Sequence, residues 1–202
     1  KVVHNAGAKA VLYEGVIVAP DGQPITTGLV QTATFDDVIN RRYTAAGAVV
    51  WTTQYDNPSS NHVDRGRDIA GTPDGGFVIA GTSVDNSSMD LITQRSTGAG
   101  ALVWSRWQDN QKESNQGWGV AADAAGSVVS VGNGSKGAFA ARYASDGTQA
   151  WTITLPFWGT SVVFDGAGVA YVAGSLSGDL GLLALAPDGA VVWQYMYPDG
   201  GI

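Results

Sequence analysis

The sequence predicts an all-β chain built from one unit repeated four times, and three observations carry that expectation. Glycine stands four residues before tryptophan at Gly47/Trp51, Gly100/Trp104, Gly147/Trp151 and Gly189/Trp193. A second glycine pair, six residues apart, recurs as Gly22/Gly28, Gly75/Gly81, Gly126/Gly132 and Gly168/Gly174. The segments inside the last three of these pairs, "GFVIA", "SVVSV" and "VAYVA", are short, apolar and β-branched, as buried strands are.

Each unit reads as four strands. The first precedes the six-spaced glycines, as "VIVA" at 16–19, "IAG" at 69–71, "VAA" at 120–122 and "VVF" at 162–164. The second lies between those glycines. Its first copy, "QPITT", is the weakest, because Pro24 has no N–H to give a ladder. The third strands are "DVINRRY" at 37–43, "DLITQR" at 90–95, "AFAARY" at 138–143 and "LGLLAL" at 180–185. The fourth carries the tryptophan and follows a turn, "TAAG", "TGAG", "SDG" or "PDG", whose glycine tolerates positive φ. An even offset from turn to indole is expected to fix which sheet face the ring takes, with the ring packed between neighbouring sheets. The repeat lengths, 53, 51 and 42 residues from Gly22 to Gly75, Gly126 and Gly168, are those of β-propeller blades. Blades are expected at about 14–56, 66–108, 117–155 and 159–198, with 199–202 as a tail.

Residues 1–13, "KVVHNAGAKAVLY", mimic the glycine turn and outer strand, with Val11 in the tryptophan position. They are therefore expected to form an extra N-terminal strand. Three arrangements suit it: the end of a preceding blade in a longer propeller, a latch joining first and last blades, or a strand donated to another copy.

The repeat "RY-x-x-x-G-x-x-x-W" (Arg42-Tyr43-Gly47-Trp51, Arg142-Tyr143-Gly147-Trp151), with Asp68-Ile69-Ala70 leading to Gly75 and Gly81, resembles the β-propeller repeats of bacterial and archaeal surface proteins. The Gly-x-x-x-Trp element is also similar to the tryptophan-docking repeat of quinone-type propellers. The resemblance covers about residues 14–198 and implies the fold and a structural role for Trp51, Trp104, Trp151 and Trp193. It does not extend to a quinone cofactor, because the adjacent-cysteine feature and a Ca²⁺ ligand set are missing. An extracellular or cell-surface location is the expectation, in keeping with abundant Gly, Ser, Thr and Asn and scarce Lys and Glu.

The net charge of -7 argues against a nucleic-acid partner and an anionic membrane surface, since little basic charge is present to neutralise phosphates. No apolar run approaches the roughly 18 residues that span a bilayer, so membrane insertion is not expected. The chain has no cysteine, which excludes disulfides and thiolate metal sites. The Asp-Gly pairs at Asp21, Asp74, Asp146, Asp165 and Asp188 fit turns and form no D-x-[DN]-x-[DN]-G loop. "GNGSKG" at 132–137 lacks the P-loop spacing. No metal and no cofactor are expected. Asn86-Ser87-Ser88 and Asn133-Gly134-Ser135 are sequons that matter only in a glycosylating host.

Candidate site residues come from the repeat register. Eight residues before the first glycine of each six-spaced pair stand Glu14, Arg67, Trp118 and Thr160; Asp68 stands seven before Gly75. They begin the innermost strands and are expected to ring the channel mouth, where a propeller offers a concave polar site. "SSNHVDRGRD" adds His62 and Arg65. The off-register aromatics Trp107, Trp118, Phe157 and Trp158 offer either a sugar platform or core packing. The preferred expectation is a non-catalytic structural or adhesive module that associates with copies of itself. A carbohydrate-binding propeller is the alternative, and a glycan lyase or hydrolase using Glu14, His62 or Asp68 is a third.

Overall fold

In a computed structural model, the described residues form sixteen strands in four antiparallel four-stranded sheets, each ordered as its strands follow in sequence. The structure describes residues 10–33, 35–57, 63–84, 88–108 and 114–197. Blade 1 comprises β1 (Ala10–Val18), β2 (Pro24–Gln31), β3 (Asp36–Tyr43) and β4 (Val49–Tyr55). Blade 2 comprises β5 (Arg65–Gly71), β6 (Phe77–Val84), β7 (Met89–Ser96) and β8 (Leu102–Gln108). Blade 3 comprises β9 (Asn115–Ala122), β10 (Val128–Gly134), β11 (Gly137–Tyr143) and β12 (Gln149–Leu155). Blade 4 comprises β13 (Trp158–Phe164), β14 (Ala170–Leu176), β15 (Asp179–Leu185) and β16 (Val191–Tyr197). Pro24 opens β2, the strand position at which its missing N–H costs least.

The first strands run longer than their apolar cores suggest, because each starts before a β-bulge. Ala10–Tyr13 therefore belong to β1 of the first blade and pair with Gly28–Gln31. The boundary expected at 13/14 falls inside this strand, and the rest of the expected extra strand, residues 1–9, lies outside the described residues. The tail at 199–202 also lies outside them.

The turn glycines behave as their spacing predicts. In blade 3, Gly147 N–H donates to Ala144 O at 2.9 Å with φ at +83°, and a Cβ there would stand 2.8 Å from the Trp104 ring. The even offset from glycine to tryptophan does not by itself set the ring's face. Arg42 faces Trp51 but Tyr43 faces Val49, so Val50 is an extra bulge residue, and blades 3 and 4 repeat this with Ala150 and Val192.

Side chains between consecutive sheets make three apolar seams. Blades 1 and 2 enclose Ile25, Val38, Ile69, Phe77 and Ile79. Blades 2 and 3 enclose Val78, Ala80, Trp104, Val120, Val128 and Tyr143. Blades 3 and 4 enclose Val129, Val131, Leu155, Phe157, Val172 and Leu183. Inner strands follow one another around an axis, β1 against β5, β5 against β9 and β9 against β13. Among the described residues, no element of blade 4 packs more than marginally on blade 1, so the four blades form an open arc.

A polar clamp closes each seam. Trp51 Nε1–H donates to Gly98 O at 3.2 Å, Trp104 Nε1–H to Ser145 O at 3.0 Å, and Trp151 Nε1–H to Pro187 O at 3.0 Å. Every acceptor is the second residue of the next blade's last turn. An arginine, opposite the tryptophan in the ladder, adds a second donor toward the next blade, on the tryptophan's own acceptor at the first two seams and on the first turn of blade 4 at the third. Arg42 pairs with Asp21 and donates to Gly98 O at 2.7 Å; Arg95 pairs with Asp74 at 2.8 Å and donates to Ser145 O; Arg142 pairs with Asp123 at 2.7 Å and donates to Gly168 O at 3.2 Å. Blade 4 has Ala184 in the arginine position, and Tyr171 there donates to Asp165 Oδ2 at 3.1 Å and lies against Trp193, with centroids 5.8 Å apart.

Two stability outcomes follow from these corners. Arg142–Asp123 is buried on both sides, whereas Asp74 opposite Arg95 is mostly exposed. Asp123→Ala should therefore cost about 3 kcal/mol in denaturant unfolding, by stranding a buried guanidinium, and Asp74→Ala about 1. Gly147→Ala should cost more than Gly75→Ala, because both are held at positive φ but only the first places a methyl against an indole.

Candidate functional site

The four register-equivalent residues share one structural feature. Glu14, Arg67, Trp118 and Thr160 are the extra residues of the β-bulges in β1, β5, β9 and β13, each skipped where its strand pairs with the next. A bulge residue leaves the ladder and its side chain is re-aimed. Because the bulges sit at one register on consecutive inner strands, four side chains come out side by side along the arc's inner wall. Glycines allow the strands to approach there: a Cβ on Gly119 of β9 would stand 3.0 Å from Ser161 Cα of β13, and one on Gly117 2.4 Å from Gly81 O in β6 of the preceding blade.

Three of the four residues, with Arg65, form one connected group. Glu14 Oε1 lies 3.1 Å from Arg65 Nε, and Glu14 Oε2 3.9 Å from Arg67 Nη1. Arg67 donates from Nη2 to Gln116 Oε1 at 3.2 Å and lays its guanidinium over the Trp118 ring at 4.2 Å. Burial lowers the Arg67 pKa and the Glu14 carboxylate opposes that shift. Trp118 keeps 38% of its surface exposed. Thr160 is exposed and donates to Ala173 O at 3.4 Å; it lies beside the group, with its backbone O next to Gly119.

The other expected site residues part company with this group. Asp68 points into the seam, where its Oδ2 accepts Val120 N–H of the next inner strand at 2.9 Å. Burial raises its pKa, opposed by the N–H groups of Val120 and Ile69. His62 lies outside the described residues. The aromatic platform divides: Phe157 is buried in the seam of blades 3 and 4, Trp107 lies on outer strand β8, and Trp158 is exposed at the start of inner strand β13. Gln116 has no signal of its own in the sequence, because only its neighbour two residues on is on the repeated register. No group of three or more His, Asp or Glu side chains able to hold a metal ion occurs among the described residues, and no helix there is long and apolar enough to cross a membrane.

No protein-family model matches the sequence, and no curated protein matches it. Solved structures do resemble it in fold. A streptogramin B lyase is 11% identical with a TM-score of 0.63, covering 93% of this chain and 55% of its own. Virginiamycin B lyase from Staphylococcus aureus is 13% identical with a TM-score of 0.61, covering 93% and 56%. A calcium-binding regucalcin from Agrobacterium tumefaciens is 13% identical with a TM-score of 0.53, covering 93% and 61%. The chain thus spans a little over half the length of these structures. At such identities the likeness concerns architecture: the fold is a β-propeller arrangement of four-stranded blades.

Asp68 offers a direct check on its seam role. Its folded pKa is raised, so its protonated form is favoured by folding; its contribution is greatest below the ordinary aspartate pKa of 3.8 and declines as pH rises through the raised folded value. Asp68→Asn keeps an acceptor for Val120 N–H and removes the buried charge. Its thermal midpoint at pH 7 should match or exceed wild type, while Asp68→Ala should lose about 1–3 kcal/mol.

Proposed function

We propose that the chain is a non-catalytic, extracellular or cell-surface binding module, whose inner-strand bulges hold a polar saccharide-type ligand. The observation carrying this reading is the single register of Glu14, Arg67, Trp118 and Thr160 on four consecutive inner strands. Together they supply a carboxylate acceptor, a forked donor, an indole face and a hydroxyl, the groups that hydroxyl-rich rings use for hydrogen bonding and stacking. Binding is favoured over acid–base chemistry by the engagement of its carboxylates. Glu14 is held by two guanidiniums, and Asp68 is committed to the seam. The lyase activity of fold neighbours stays with those proteins. A structural or adhesive role is the second reading, supported by the exposed apolar faces at both ends of the arc.

Glycan-array screening with neutral and acidic oligosaccharides, followed by calorimetric titration of the hits, tests the binding reading. Saturable binding is expected to be lost in Trp118→Ala and weakened about tenfold or more in Arg67→Ala, equivalent to ~1.4 kcal/mol. Trp107→Ala, on the outer strand, should leave it intact. Absence of binding to every glycan, or binding that survives both inner-wall changes, would contradict it.

A further inference from the structure

Five of the chain's seven arginines serve the scaffold. Arg42, Arg95 and Arg142 tether the seams. Arg106 donates from Nε to Gly147 O of the next blade at 2.7 Å, and Arg41 donates to Thr52 Oγ1 within its own sheet at 3.1 Å. Arg65 and Arg67, one residue apart on β5, serve neither purpose. Among the described residues their guanidiniums donate to no backbone carbonyl, and they make one side-chain hydrogen bond between them, from Arg67 Nη2 to Gln116. Both Nε–H groups are buried and reach no hydrogen-bond acceptor there. Arg65 Nε lies 3.1 Å from Glu14 Oε1, close enough to attract it but out of line for a hydrogen bond.

The charge of this group does not balance. Two guanidiniums face one carboxylate, and Glu14 Oε2 is 3.9 Å from Arg67 Nη1, too far for a hydrogen bond. Asp68, the next carboxylate along β5, is turned into the seam toward Val120 N–H. Burial is the largest cause lowering the Arg67 pKa, the Arg65 charge adds to it, and the Glu14 carboxylate opposes both. A cation in this setting gains from a further anion.

The surplus is also within reach of a ligand. The Arg65 side chain is 31% exposed, and the Arg67 guanidinium lies 4.2 Å from the centre of the partly exposed Trp118 ring. A sugar ring resting on the open part of that indole carries its substituents to the guanidiniums. A hydroxyl placed there accepts a hydrogen bond and leaves the charge as it was. A carboxylate accepts from a guanidinium fork and neutralises it as well.

We propose that the inner wall takes an acidic saccharide of the uronate type, whose ring carboxylate pairs with Arg65 and Arg67 while the ring lies on Trp118. This rests on the saccharide reading of the same wall and narrows it. Arg65, which is off the bulge register, becomes the residue that separates acidic from neutral sugars. Glu14 competes with the ligand carboxylate for the two guanidiniums.

Calorimetric titration with matched pairs tests it: galacturonate, glucuronate and mannuronate oligosaccharides, each beside the same oligosaccharide after carboxyl reduction. At least one acid is expected to bind about tenfold or more tightly than its reduced twin. Raising NaCl from about 0.05 to about 0.5 M should weaken the acid several-fold and the twin little. Arg65→Gln should bring the acid down to the level of its twin. Glu14→Gln keeps an acceptor oxygen but removes the competing charge, so it should tighten the acid about threefold. Circular dichroism verifies that each variant folds, and the twin and salt comparisons are read on the unaltered chain. Twins bound equally, with binding lost in Trp118→Ala, would overturn the acidic assignment and leave the saccharide reading standing. An acid preference that survives Arg65→Gln, or sulfated oligosaccharides bound in place of uronates, would overturn it too. Binding of neither acids nor twins, nor of any other glycan, would overturn both readings.

Discussion

One corner interaction organises this molecule: an indole and a guanidinium from one blade converging on a turn of the next. A four-stranded sheet of this size cannot bury its own faces, so its stability comes from stacking on its neighbours. The apolar seams provide the area, but area is indifferent to rotation and sliding. The Trp51 and Arg42 donors, both on Gly98 O, fix one position of blade 2 against blade 1. Trp104 and Arg95 rebuild the same corner on Ser145 O, and at the third seam Trp151 keeps the last turn through Pro187 O while Arg142 takes Gly168 O of the first turn, so the indole bond gives the arc its regular step.

That regular step is also what makes a site out of four isolated bulges. A bulge in one strand displays one side chain. Four bulges at the same register, carried on sheets placed by equivalent corners, display Glu14, Arg67, Trp118 and Thr160 in a row. Their chemistry differs although their backbone setting is the same, which is how a repeat fold separates scaffold from recognition. The close approach of Gly119 on β9 to Ser161 on β13, where a Cβ would stand 3.0 Å from the Ser161 Cα, belongs to both: it lets the inner strands touch and brings neighbouring bulge residues within reach.

Much of this was legible in the residues themselves. Periodic glycines and tryptophans announce four blades because positive-φ turns and seam-filling indoles each tolerate few substitutes. The register count also found the bulge residues without revealing that they are bulges, since the extra residue changes pairing and leaves spacing from the turn intact. The clamp arginines stand nine residues before their tryptophans, at Arg42, Arg95 and Arg142, a spacing as regular as that of the glycines. Their role was hidden because a charge in a strand ordinarily signals solvent, and only the neighbouring blade turns it into a tether. Asp68 misled for the same reason: a carboxylate beside Arg67 belongs to the seam, a placement decided by Val120 fifty-two residues away. The side of the indole likewise depended on the bulge at Val50, which parity along a strand does not reveal.

Hydrogen exchange at the individual tryptophan indoles tests the corner most directly, because it reads the donor itself. The Nε1 protons of Trp51, Trp104 and Trp151 should exchange at least about tenfold more slowly than those of the exposed Trp107 and Trp158. Equal exchange across the five, in a chain that is otherwise folded, would mean that the blades are held by apolar contact alone and that the corner does not organise them.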